Sequence, residues 1–597
     1  MNALSPAEQT DTWLYTFEKS LTENDSNSAS KLFQKDCYWR DLVVFTWNIK
    51  TSEGQTEIAD MLSAVVSKIQ PSNWKRDGDP TVKDGVIECW ITFETRVAQG
   101  RGQVRLIDGK CWTLLTTMKE LKGHEEKKGR NRERGSIHGA FKDRKSWQEL
   151  KSKKEARLGY EDQPYCVIVG GGQGGIALGA RLQRLGVPTI IIESNARAGD
   201  SWRKRYKSLC LHDPVWYDHL PYLPFPDDWP VYTPKDKLGD WLESYVNIME
   251  LNYWTSSICT SANYDGSSGE WTVKIEHDGK LVTVRPKQLI LATGMSGVPK
   301  MPNLPGIEGF KGELQHSSQH PGGEGYKGKT CVVIGSNNSA HDICASLWEN
   351  GADVTMTQRS STLVARSETL VDLGSRHLYS EDALAKGITT EIADMTTASR
   401  PYRVLTELQK PVCAEMQKRD KGFYARLEKA GFDLDFGEDG SGLFMKYIRR
   451  GAGYYIDVGA SELIANGDIK LKPGQVAGLS ANGVLMEDGS ELPADLVVCA
   501  TGYGSMNGWA AQLISQDVAD KVGKVWGIGS NTTNDPGPWE GELRNIWKPT
   551  QQDGLWFHGG NLFQSRFYSE FLALQIKARA EGIATPVYAL QETHHKS

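Results

Sequence analysis

The stretch CVIVGGGQGGIALGARLQRLGVPTIIIES, residues 166–194, decides the fold of this chain. A β-branched run enters a glycine-rich loop, a helical pattern leaves it, and a second β-branched run ends in the acid Glu193. Gly170, Gly172 and Gly175 fit the G-x-G-x-x-G spacing, in which the first glycine makes a tight turn, the second admits a pyrophosphate and the third lets helix and strand pack closely. The helix N-terminus favours phosphate, and Glu193 is placed to bind ribose hydroxyls. The stretch therefore predicts a Rossmann-like dinucleotide-binding site.

A second stretch, KTCVVIGSNNSAHDICASLWENGADVTMTQRSST at residues 329–362, repeats the order of strand, loop, helix and strand with fewer glycines. Asn337 adopts left-handed backbone more readily than most residues, and Ala340 is small enough for close helix packing. The second strand ends at Arg359, whose guanidinium suits a ribose 2′-phosphate. These residues predict a second dinucleotide site that prefers NADPH to NADH, with a solvated surface arginine as the alternative. We expect the loop to bind through Gly335, Ser336, Asn337, Ser339 and Ala340.

Composition and charge narrow the class of protein. The 597 residues are 39% hydrophobic and 24% charged, as in an ordinary globular protein, and suffice for three or four domains. The formal net charge of -6 argues against nucleic acid or an anionic membrane as the main partner. No apolar run approaches the roughly 20 residues of a membrane helix and no secretory signal is recognisable, so we expect a cytoplasmic location. The ten cysteines include no CxxC pair, which argues against disulfide reduction and for buried, reduced thiols.

The sequence divides into three regions of different character. Residues 1–122 combine an early helical pattern with alternating apolar and polar segments, which predicts a small α+β domain. Its tryptophans, such as Trp39, Trp47 and Trp90, are more typical of a core than of a ligand cage. Residues 123–162 are dominated by charge and predict a solvated linker with one exposed helix; a nucleic-acid patch is less favoured because acids are mixed in. From position 163 onward, β-branched runs such as QLILATG and ADLVVCATGY predict the buried parallel strands of an α/β fold.

The segment FKGELQHSSQH, residues 310–320, carries a resemblance to a known family. It contains the F-x-G-x-x-x-H pattern of flavin-containing and Baeyer–Villiger monooxygenases, which ends here at His316. Residues 160–580 resemble these enzymes. The other matching segments are GDSWRKRYKSLCLHDP, the turns Ala292-Thr293-Gly294 and Ala500-Thr501-Gly502-Tyr503, and GGNLFQSRFYSEFLALQ. Four residues after the signature histidine the family has an aromatic ring, whereas this chain has His320. With its N-terminal region, which resembles an NTF2/SnoaL-like domain, the chain is most similar to type II flavin-containing monooxygenases.

The resemblance implies a two-cofactor architecture. It implies two Rossmann-like domains, with a nicotinamide domain at residues 301–491 inserted into an FAD domain at residues 163–300 and 492–597. The inserted domain would carry a helical insertion on the substrate side. FAD would bind at the first loop, and NADPH, or NADH as an alternative, at the second. The implied cofactor-binding residues outside the two loops are Trp202, Thr501 and Gly502.

The resemblance also implies an activity. A nicotinamide hydride would reduce FAD, oxygen would add at flavin carbon 4a to give a (hydro)peroxide, and one oxygen atom would pass to a small ketone or to a sulfur or nitrogen atom. The candidate catalytic residues are His316, His320, His212 and Asp213. An NADPH oxidase that releases hydrogen peroxide, and a non-catalytic FAD-binding redox sensor or scaffold, stay open as alternatives.

Each candidate catalytic residue has a structural alternative. His316 either bridges the domain interface as the cofactor moves or stabilises the interdomain turn. His320 either tunes the protonation of the peroxide near neutral pH or belongs to an exposed loop. His212 and Asp213 lie either near the flavin or in a capped turn. For the N-terminal domain two roles stay open: it braces the oxygenase or a homodimer, or it contributes a substrate cavity.

Overall fold

A computed structural model describes residues 4–295 and 297–594 of the chain. The N-terminal domain is a seven-stranded sheet with three helices. Its elements are α1 (Pro6–Thr22), α2 (Ser26–Lys31), β1 (Phe33–Leu42), β2 (Ile49–Glu53), α3 (Gly54–Ile69), β3 (Ser72–Arg76), β4 (Thr81–Lys83), β5 (Val86–Glu94), β6 (Ala98–Ile107) and β7 (Lys110–Leu121). The strands run in the order β2-β1-β7-β6-β5-β3, with β4 on β5, and β1 pairs with β7 in parallel. The sheet has the α+β character that the sequence predicts, and its NTF2-like relationship stays a prediction.

Aromatic rings form the core of the N-terminal domain. Trp39 and Trp47 are buried, and the Trp39 Nε1 donates a hydrogen bond of 2.8 Å to the Thr116 hydroxyl. Trp90 is half-buried beneath the Arg101 guanidinium, which lies 5.3 Å from its ring centroid. Trp39 stacks on Phe33 and meets Phe17 and Phe45 edge-on, and these rings in turn contact Trp13, Trp74 and Phe93. Two of the three tryptophans therefore pack in the core and the third packs at its edge.

The rest of the chain alternates strands and helices. The linker holds α4 (Trp147–Arg157). The next elements are β8 (Cys166–Val169), α5 (Gln173–Arg184), β9 (Thr189–Ile192), α6 (Asp200–Arg203), α7 (Lys235–Ile248), β10 (Tyr253–Trp254), β11 (Ser257–Asp265), β12 (Glu270–His277), β13 (Lys280–Val284) and β14 (Gln288–Leu291). Then come β15 (Glu313–His316), β16 (Thr330–Ile334), α8 (Asn338–Glu349), β17 (Asp353–Gln358), β18 (Leu363–Arg366), α9 (Ser367–Leu370), α10 (Glu381–Ala385), α11 (Thr390–Ala398), α12 (Tyr402–Arg419), α13 (Lys421–Lys429) and α14 (Gly442–Arg450). The last are β19 (Tyr454–Asp457), α15 (Ala460–Asn466), β20 (Lys470–Pro473), β21 (Val476–Leu479), β22 (Gly483–Met486), β23 (Glu491–Pro493), β24 (Leu496–Cys499), α16 (Asn507–Leu513), α17 (Gln516–Val522), β25 (Leu555–Phe557) and α18 (Leu562–Ala580).

Two five-stranded parallel sheets form the α/β body. The first has the order β10-β9-β8-β14-β25, and the second has the order β15-β24-β16-β17-β20. Their central strands β8, β9, β16 and β24 are buried on both faces, as β-branched runs of this kind predict. In each sheet one predicted dinucleotide loop joins a strand to the following helix. The first loop lies between β8 and α5, and the second lies between β16 and α8. The predicted fold class, α/β with two Rossmann-like units, is confirmed.

One predicted boundary is wrong. Position 492 was expected to begin the resumed FAD domain, but β24 pairs with β15 and β16 in the second sheet. The chain returns to the first sheet only after Cys499. A strand that is buried on both faces carries no periodicity that identifies its neighbours, so the run ADLVVCATGY fits either sheet equally well.

Helices α9 to α14 form an insertion between the β18 and β19 strands, which pair with each other in parallel. A π-helical turn, Val371–Ser375, lies at the start of this insertion. Turns of this type are rare and occur often at functional sites. The insertion packs against the N-terminal domain, where Arg105 donates hydrogen bonds to the backbone and side chain of Ser399 at 2.9 and 2.8 Å.

The predicted exposed helix of the linker is present as α4, which buries none of its residues. Ser146 caps its first turn, and the Trp147 side chain donates a hydrogen bond of 2.8 Å to Glu250. Within the two described ranges, no helix combines the length and the apolar character needed to cross a bilayer.

Candidate functional site

The first loop has the backbone that its three glycines predict. Gly170 has a φ of +108°, and a Cβ there would lie 2.3 Å from the Ala292 carbonyl oxygen. A Cβ on Gly175 would lie 2.0 Å from the Gly170 carbonyl oxygen. Gly172 differs, because a Cβ there would meet nothing closer than the Ser201 hydroxyl at 3.9 Å. The protein's own packing thus requires the outer two glycines, while the middle one borders open space.

Glu193 is held in place at the end of β9. It is 6% exposed and accepts hydrogen bonds from the Gly171 backbone N–H at 3.1 Å and from the Asn195 backbone and side chain, each at 2.7 Å. The α5 helix begins beside it and has no side-chain cap, so the first-turn N–H groups face the loop without a side-chain acceptor. A fixed carboxylate next to free N–H donors is the arrangement that binds a ribose and a pyrophosphate.

Buried polar atoms around this loop lack protein partners. Among the described residues, the Thr293 and Ser565 hydroxyls have no hydrogen-bond partner, and the His558 ring interacts only with the Gly174 backbone. A Cβ on Gly174 would lie 3.4 Å from the His558 ring and 3.7 Å from the Ser565 hydroxyl, so these groups adjoin the start of α5. Burial lowers the pKa of His558 to about 3 and keeps its ring neutral. Buried polar groups are normally paired, so this cluster fits a polar ligand such as a dinucleotide.

Trp202 links the first loop to the C-terminal part of the chain. Its Nε1 donates a hydrogen bond of 3.3 Å to Gln173, the first residue of α5, and the Gln173 amide donates one of 3.4 Å to the Gly560 carbonyl. The neighbouring Arg203 is engaged by carboxylates, among them Asp240 at 2.9 Å. Trp202 therefore lies beside the first loop, where the resemblance places it.

The second loop repeats part of this geometry. Gly335 has a φ of +129°, and a Cβ there would lie 2.5 Å from the Ala500 carbonyl oxygen. Ala340 is fully buried, as close helix packing predicts. Asn337 corrects our expectation of left-handed backbone, because its φ of −98° is in the extended region. The Ser336 hydroxyl lies 2.8 Å from that of Thr362, which ties the loop to the segment after the second strand.

Ser339 and Arg359 are the other predicted residues of the second site. Ser339 lies half-buried in the first turn of α8. Arg359 follows the end of β17, is exposed, and forms no ion pair with any described residue. An unpaired guanidinium at the end of this strand fits the 2′-phosphate role, which stays a prediction.

His316 lies at the hinge between the two sheets. Its Nε2 is 3.1 Å from the Gly502 carbonyl oxygen, and its ring meets Tyr503 edge-on. The same hinge pairs the two crossover segments: Lys300 donates its backbone N–H to Gly502, and the Thr501 hydroxyl donates to the Lys300 carbonyl at 2.7 Å. Both alternatives for His316 involve this interface, and these contacts favour stabilisation of the interdomain turn.

His320 is buried, which contradicts one of its two predicted roles. It is 3% exposed, so it does not belong to an exposed loop. Its Nδ1 lies 3.0 Å from the Gln315 side-chain oxygen, its ring stacks on Tyr326, and its Nε2 has no partner among the described residues. Burial lowers the pKa of His320 to about 4. The lowered pKa favours the neutral ring, and the proton-tuning role of His320 stays a prediction.

His212 and Asp213 follow α6 in the chain, and His212 lies beside the helix that begins at the second cofactor loop. The His212 Nε2 is 3.9 Å from the Asp342 carboxylate on α8, and Asp342 also accepts a 2.6 Å hydrogen bond from Tyr206. Asp213 forms no hydrogen bond with a described residue, and burial raises the pKa of its carboxyl. Both side chains line one internal cavity.

This cavity, with a volume of about 260 Å³, is the feature that sequence reasoning missed. It extends from His212 and Asp213 and from the start of α18 into the helical insertion, and the π-helical turn forms part of its wall. Most of its lining is apolar or aromatic. The aromatic lining residues are Tyr217, Tyr379, Tyr402, Phe444, Tyr447, Tyr454, Phe563 and Tyr568. They come from segments without a common motif, so no local signal identifies them.

Two arginines and a second histidine, His377, also line this cavity. Arg40 reaches it from the N-terminal domain and is paired with Glu542. Arg400 forms no ion pair with a described residue, and burial together with the nearby Arg105 guanidinium lowers its pKa. His377 lies beside it, and burial followed by the Arg400 charge lowers its pKa. The cavity therefore has an aromatic body and one unpaired cation.

Comparisons with known proteins agree with this geometry. Residues 167–407 match the family model for pyridine nucleotide-disulphide oxidoreductases. The chain is 30% identical over 341 residues to a probable indole-3-pyruvate monooxygenase, YUCCA9, of Arabidopsis thaliana, an alignment that covers 57% of this chain and 75% of that protein. The chain belongs to the flavin-dependent monooxygenases. Members of this family use FAD and NADPH.

Two further comparisons describe this flavin-dependent monooxygenase. It is 31% identical over 345 residues to another probable indole-3-pyruvate monooxygenase of Arabidopsis thaliana, YUCCA7, which covers 57% of this chain and 74% of that one. A crystal structure of OTEMO in complex with FAD and NADP covers 71% of this chain and 86% of its own, with a TM-score of 0.50 and 17% identity. At that identity the likeness shows the fold alone.

Proposed function

We propose that this monooxygenase uses FAD and NADPH to insert one oxygen atom of dioxygen into a small aromatic carbonyl compound that carries an acidic group. The observation that carries the proposal is the 260 Å³ cavity, which is lined by Asp213, by the start of α18 and by Arg400, a cation without an ion pair among the described residues. The flavin would lie against the Gly170 loop, with Glu193 on the adenosine ribose, and NADPH against the Gly335 loop, with Arg359 on the 2′-phosphate. The FAD domain would then comprise residues 163–300 and those after Cys499, and the nicotinamide domain the part between them.

When bound and reduced, FAD supplies the activation of dioxygen. The residues of this chain exclude water and position the substrate. Tyr217 stacks on Phe563 and meets Tyr379 edge-on, which closes one side of the cavity. The Tyr379 hydroxyl donates to Asp394, and Asp394 is paired with the buried Arg566. A closed aromatic wall keeps the reacting atoms away from bulk water, which limits side reactions.

Asp213 would donate a hydrogen bond to the substrate in the cavity. Burial raises the pKa of this carboxyl, and no described residue shares a hydrogen bond with it. A protonated carboxyl in an apolar site donates a hydrogen bond, and it polarises a carbonyl that accepts it. We assign Asp213 this role toward the substrate oxygen, while the preceding residue, His212, lies 3.9 Å from Asp342 on α8.

Arg400 would bind the acidic end of the substrate. A cation that is half-buried without a carboxylate partner gains most from an anionic ligand. The relatives act, by their names, on indole-3-pyruvate, an aromatic ring that bears a carbonyl and a carboxylate. A molecule of that shape suits a cavity with tyrosines along its length and an arginine at its end. Because the N-terminal domain contributes Arg40 to the wall, the proposal favours the substrate-cavity role for that domain.

The decisive experiment measures NADPH consumption, dioxygen uptake and hydrogen peroxide release with a panel of aromatic 2-oxo acids, neutral cyclic ketones and thioethers. Substrate-dependent consumption with little peroxide, strongest for the acids, is the expected result. Equal consumption with and without every substrate, matched by peroxide, would identify an NADPH oxidase. Bound FAD with negligible turnover would identify a sensor. Arg400→Met should raise KM for the acids at least about tenfold and leave neutral ketones unchanged. Arg403→Met, at an exposed arginine paired with Glu53, is the matched control.

A further inference from the structure

The charge of this chain is unevenly distributed. Residues 122–157 hold thirteen lysines and arginines against six aspartates and glutamates, a local net charge of +7 in a chain of net charge -6. The net charge of the whole chain, which argues against an anionic membrane as partner, does not reveal this local excess of lysine and arginine. Because charged groups act over about one Debye length of roughly 10 Å, a partner responds to the local charge and not to the total.

This segment borders a surface groove of about 720 Å³. The groove lies between the linker, α4 and the C-terminal ends of α5 and α7. Three of its cations, Arg132, Lys154 and Arg184, have no carboxylate within ion-pair distance among the described residues. The pKa of the Glu133 carboxyl is lowered chiefly by Lys127 and to a smaller extent by Lys154 and Arg184. The groove is lined by six lysines and arginines and by three glutamates, so its net charge is positive.

Apolar side chains lie among these cations. Trp147, Leu150 and Ile248 line the groove and are 44%, 53% and 63% exposed. Ile137 and Phe141 project from the linker and are 70% and 51% exposed. Large apolar side chains that stay in water in a folded protein commonly mark an interaction site. Trp147, Leu150 and Ile248 line the same groove as Arg132, Lys154 and Arg184.

We propose that this face, formed by residues 127–154 with Arg184 and Ile248, docks the enzyme onto the surface of an anionic phospholipid bilayer. Lysines and arginines bind lipid phosphates, while tryptophan, phenylalanine and aliphatic side chains enter the boundary between headgroups and acyl chains. A nucleic acid fits less well, because bases stack on aromatic faces and gain little from isoleucine and leucine. The face lies outside the cofactor loops and the substrate cavity, so docking is independent of the proposed reaction.

The test uses the full-length, FAD-loaded protein in vesicle flotation. The vesicles contain phosphatidylcholine alone or with about one third phosphatidylserine, at low and high salt. We expect binding to the anionic vesicles only, with loss of binding at high salt because screening removes the attraction. The triple variant Arg132→Gln, Lys151→Gln and Lys154→Gln should bind on the order of 100-fold more weakly, at about fivefold for each charge near the surface.

The matched control makes the same charge change elsewhere. Lys311, Lys327 and Lys329 are exposed and form no ion pair with a described residue, so their change to Gln should leave vesicle binding intact. Absence of binding by the wild-type protein at low salt would overturn the proposal, as would equal losses in the two triple variants. Salt-sensitive retention by single-stranded RNA without vesicle binding would assign the face to nucleic acid and also overturn it. Flavin absorbance and NADPH turnover should be unchanged in both variants, which separates a docking defect from misfolding.

Discussion

The Arg40 guanidinium meets the Glu542 carboxylate at 2.6 Å across the boundary between the N-terminal domain and the C-terminal loops, with both side chains 2% exposed. Removal of one partner from a buried pair leaves an uncompensated charge, which costs about 3–5 kcal/mol. We therefore expect Arg40→Ala to lower the free energy of unfolding by that amount, measured by urea denaturation with tryptophan fluorescence. Arg76→Ala, which breaks an exposed pair with Asp11, should cost less than about 1 kcal/mol. Equal effects would mean that the Arg40 pair does not hold the domains together.

In the first loop there is room for a side chain at Gly172 but not at Gly175. Gly172 has extended backbone and open space around it, so Gly172→Val should fold with an unchanged thermal midpoint but lose the yellow flavin absorbance. Gly175→Val places side-chain atoms against the Gly170 carbonyl and should lower the thermal midpoint itself. Gly325→Val, where a Cβ meets nothing within 4 Å, is the control. A yellow Gly172→Val protein would show that the pyrophosphate binds elsewhere.

Arg359 should decide between the two nicotinamide cofactors. Arg359→Ala removes the only charge that we assign to the 2′-phosphate, so KM for NADPH should rise roughly 10- to 100-fold, or about 1.5–3 kcal/mol, while KM for NADH changes little. Steady-state kinetics with both cofactors measure the difference. Arg426→Ala, at a surface arginine paired with Glu462, should affect neither. Equal losses with NADPH and NADH would remove the 2′-phosphate role.

His320 should make stability depend on pH. Its pKa is lowered by burial to about 4 in the folded protein, against 6.5 in the unfolded chain. Between these values the unfolded chain binds a proton that the folded protein does not, so acidification from pH 6.5 toward pH 4 favours unfolding. Relative to His320→Gln, the wild-type protein should lose about 2 kcal/mol of unfolding free energy between pH 7 and pH 5. Parallel urea curves at the two pH values measure this, and a constant difference would contradict it.

The sequence predicts the parts of this structure that depend on local backbone geometry. Gly170 and Gly175 are required because backbone atoms occupy the space that a side chain would take. The G-x-G-x-x-G spacing of the sequence therefore predicts this geometry. The end of a strand similarly marks the positions of Glu193 and Arg359. The location of the return to the first sheet could not be read from residues near Leu496, because buried parallel strands look alike whichever sheet they join.

The substrate cavity lies beyond what the sequence could predict. Arg40, Arg400 and Asp213 are far apart in the chain and come together only when the N-terminal domain, the helical insertion and the first sheet pack against one another. None of them belongs to a repeated pattern of apolar residues. His320 illustrates the same limit, since its position in the family signature indicated a reactive role, and its burial, which sets its pKa, depends on Gln315 and Tyr326.

The last strand of the first sheet, β25, pairs with β14 and begins 362 residues after Glu193. At ribosomal rates of about 5–20 residues per second, a nascent chain would expose the complete glycine loop on the order of tens of seconds before this strand and the α18 helix are made. During that interval the edge of β14 that later pairs with β25 is unpaired. The residues that later lie beside α5, including His558 and Ser565, have not yet been synthesised. FAD would then bind only after the last strand has been synthesised. Chains that end before Leu555 should lack flavin absorbance although every glycine of the loop is present.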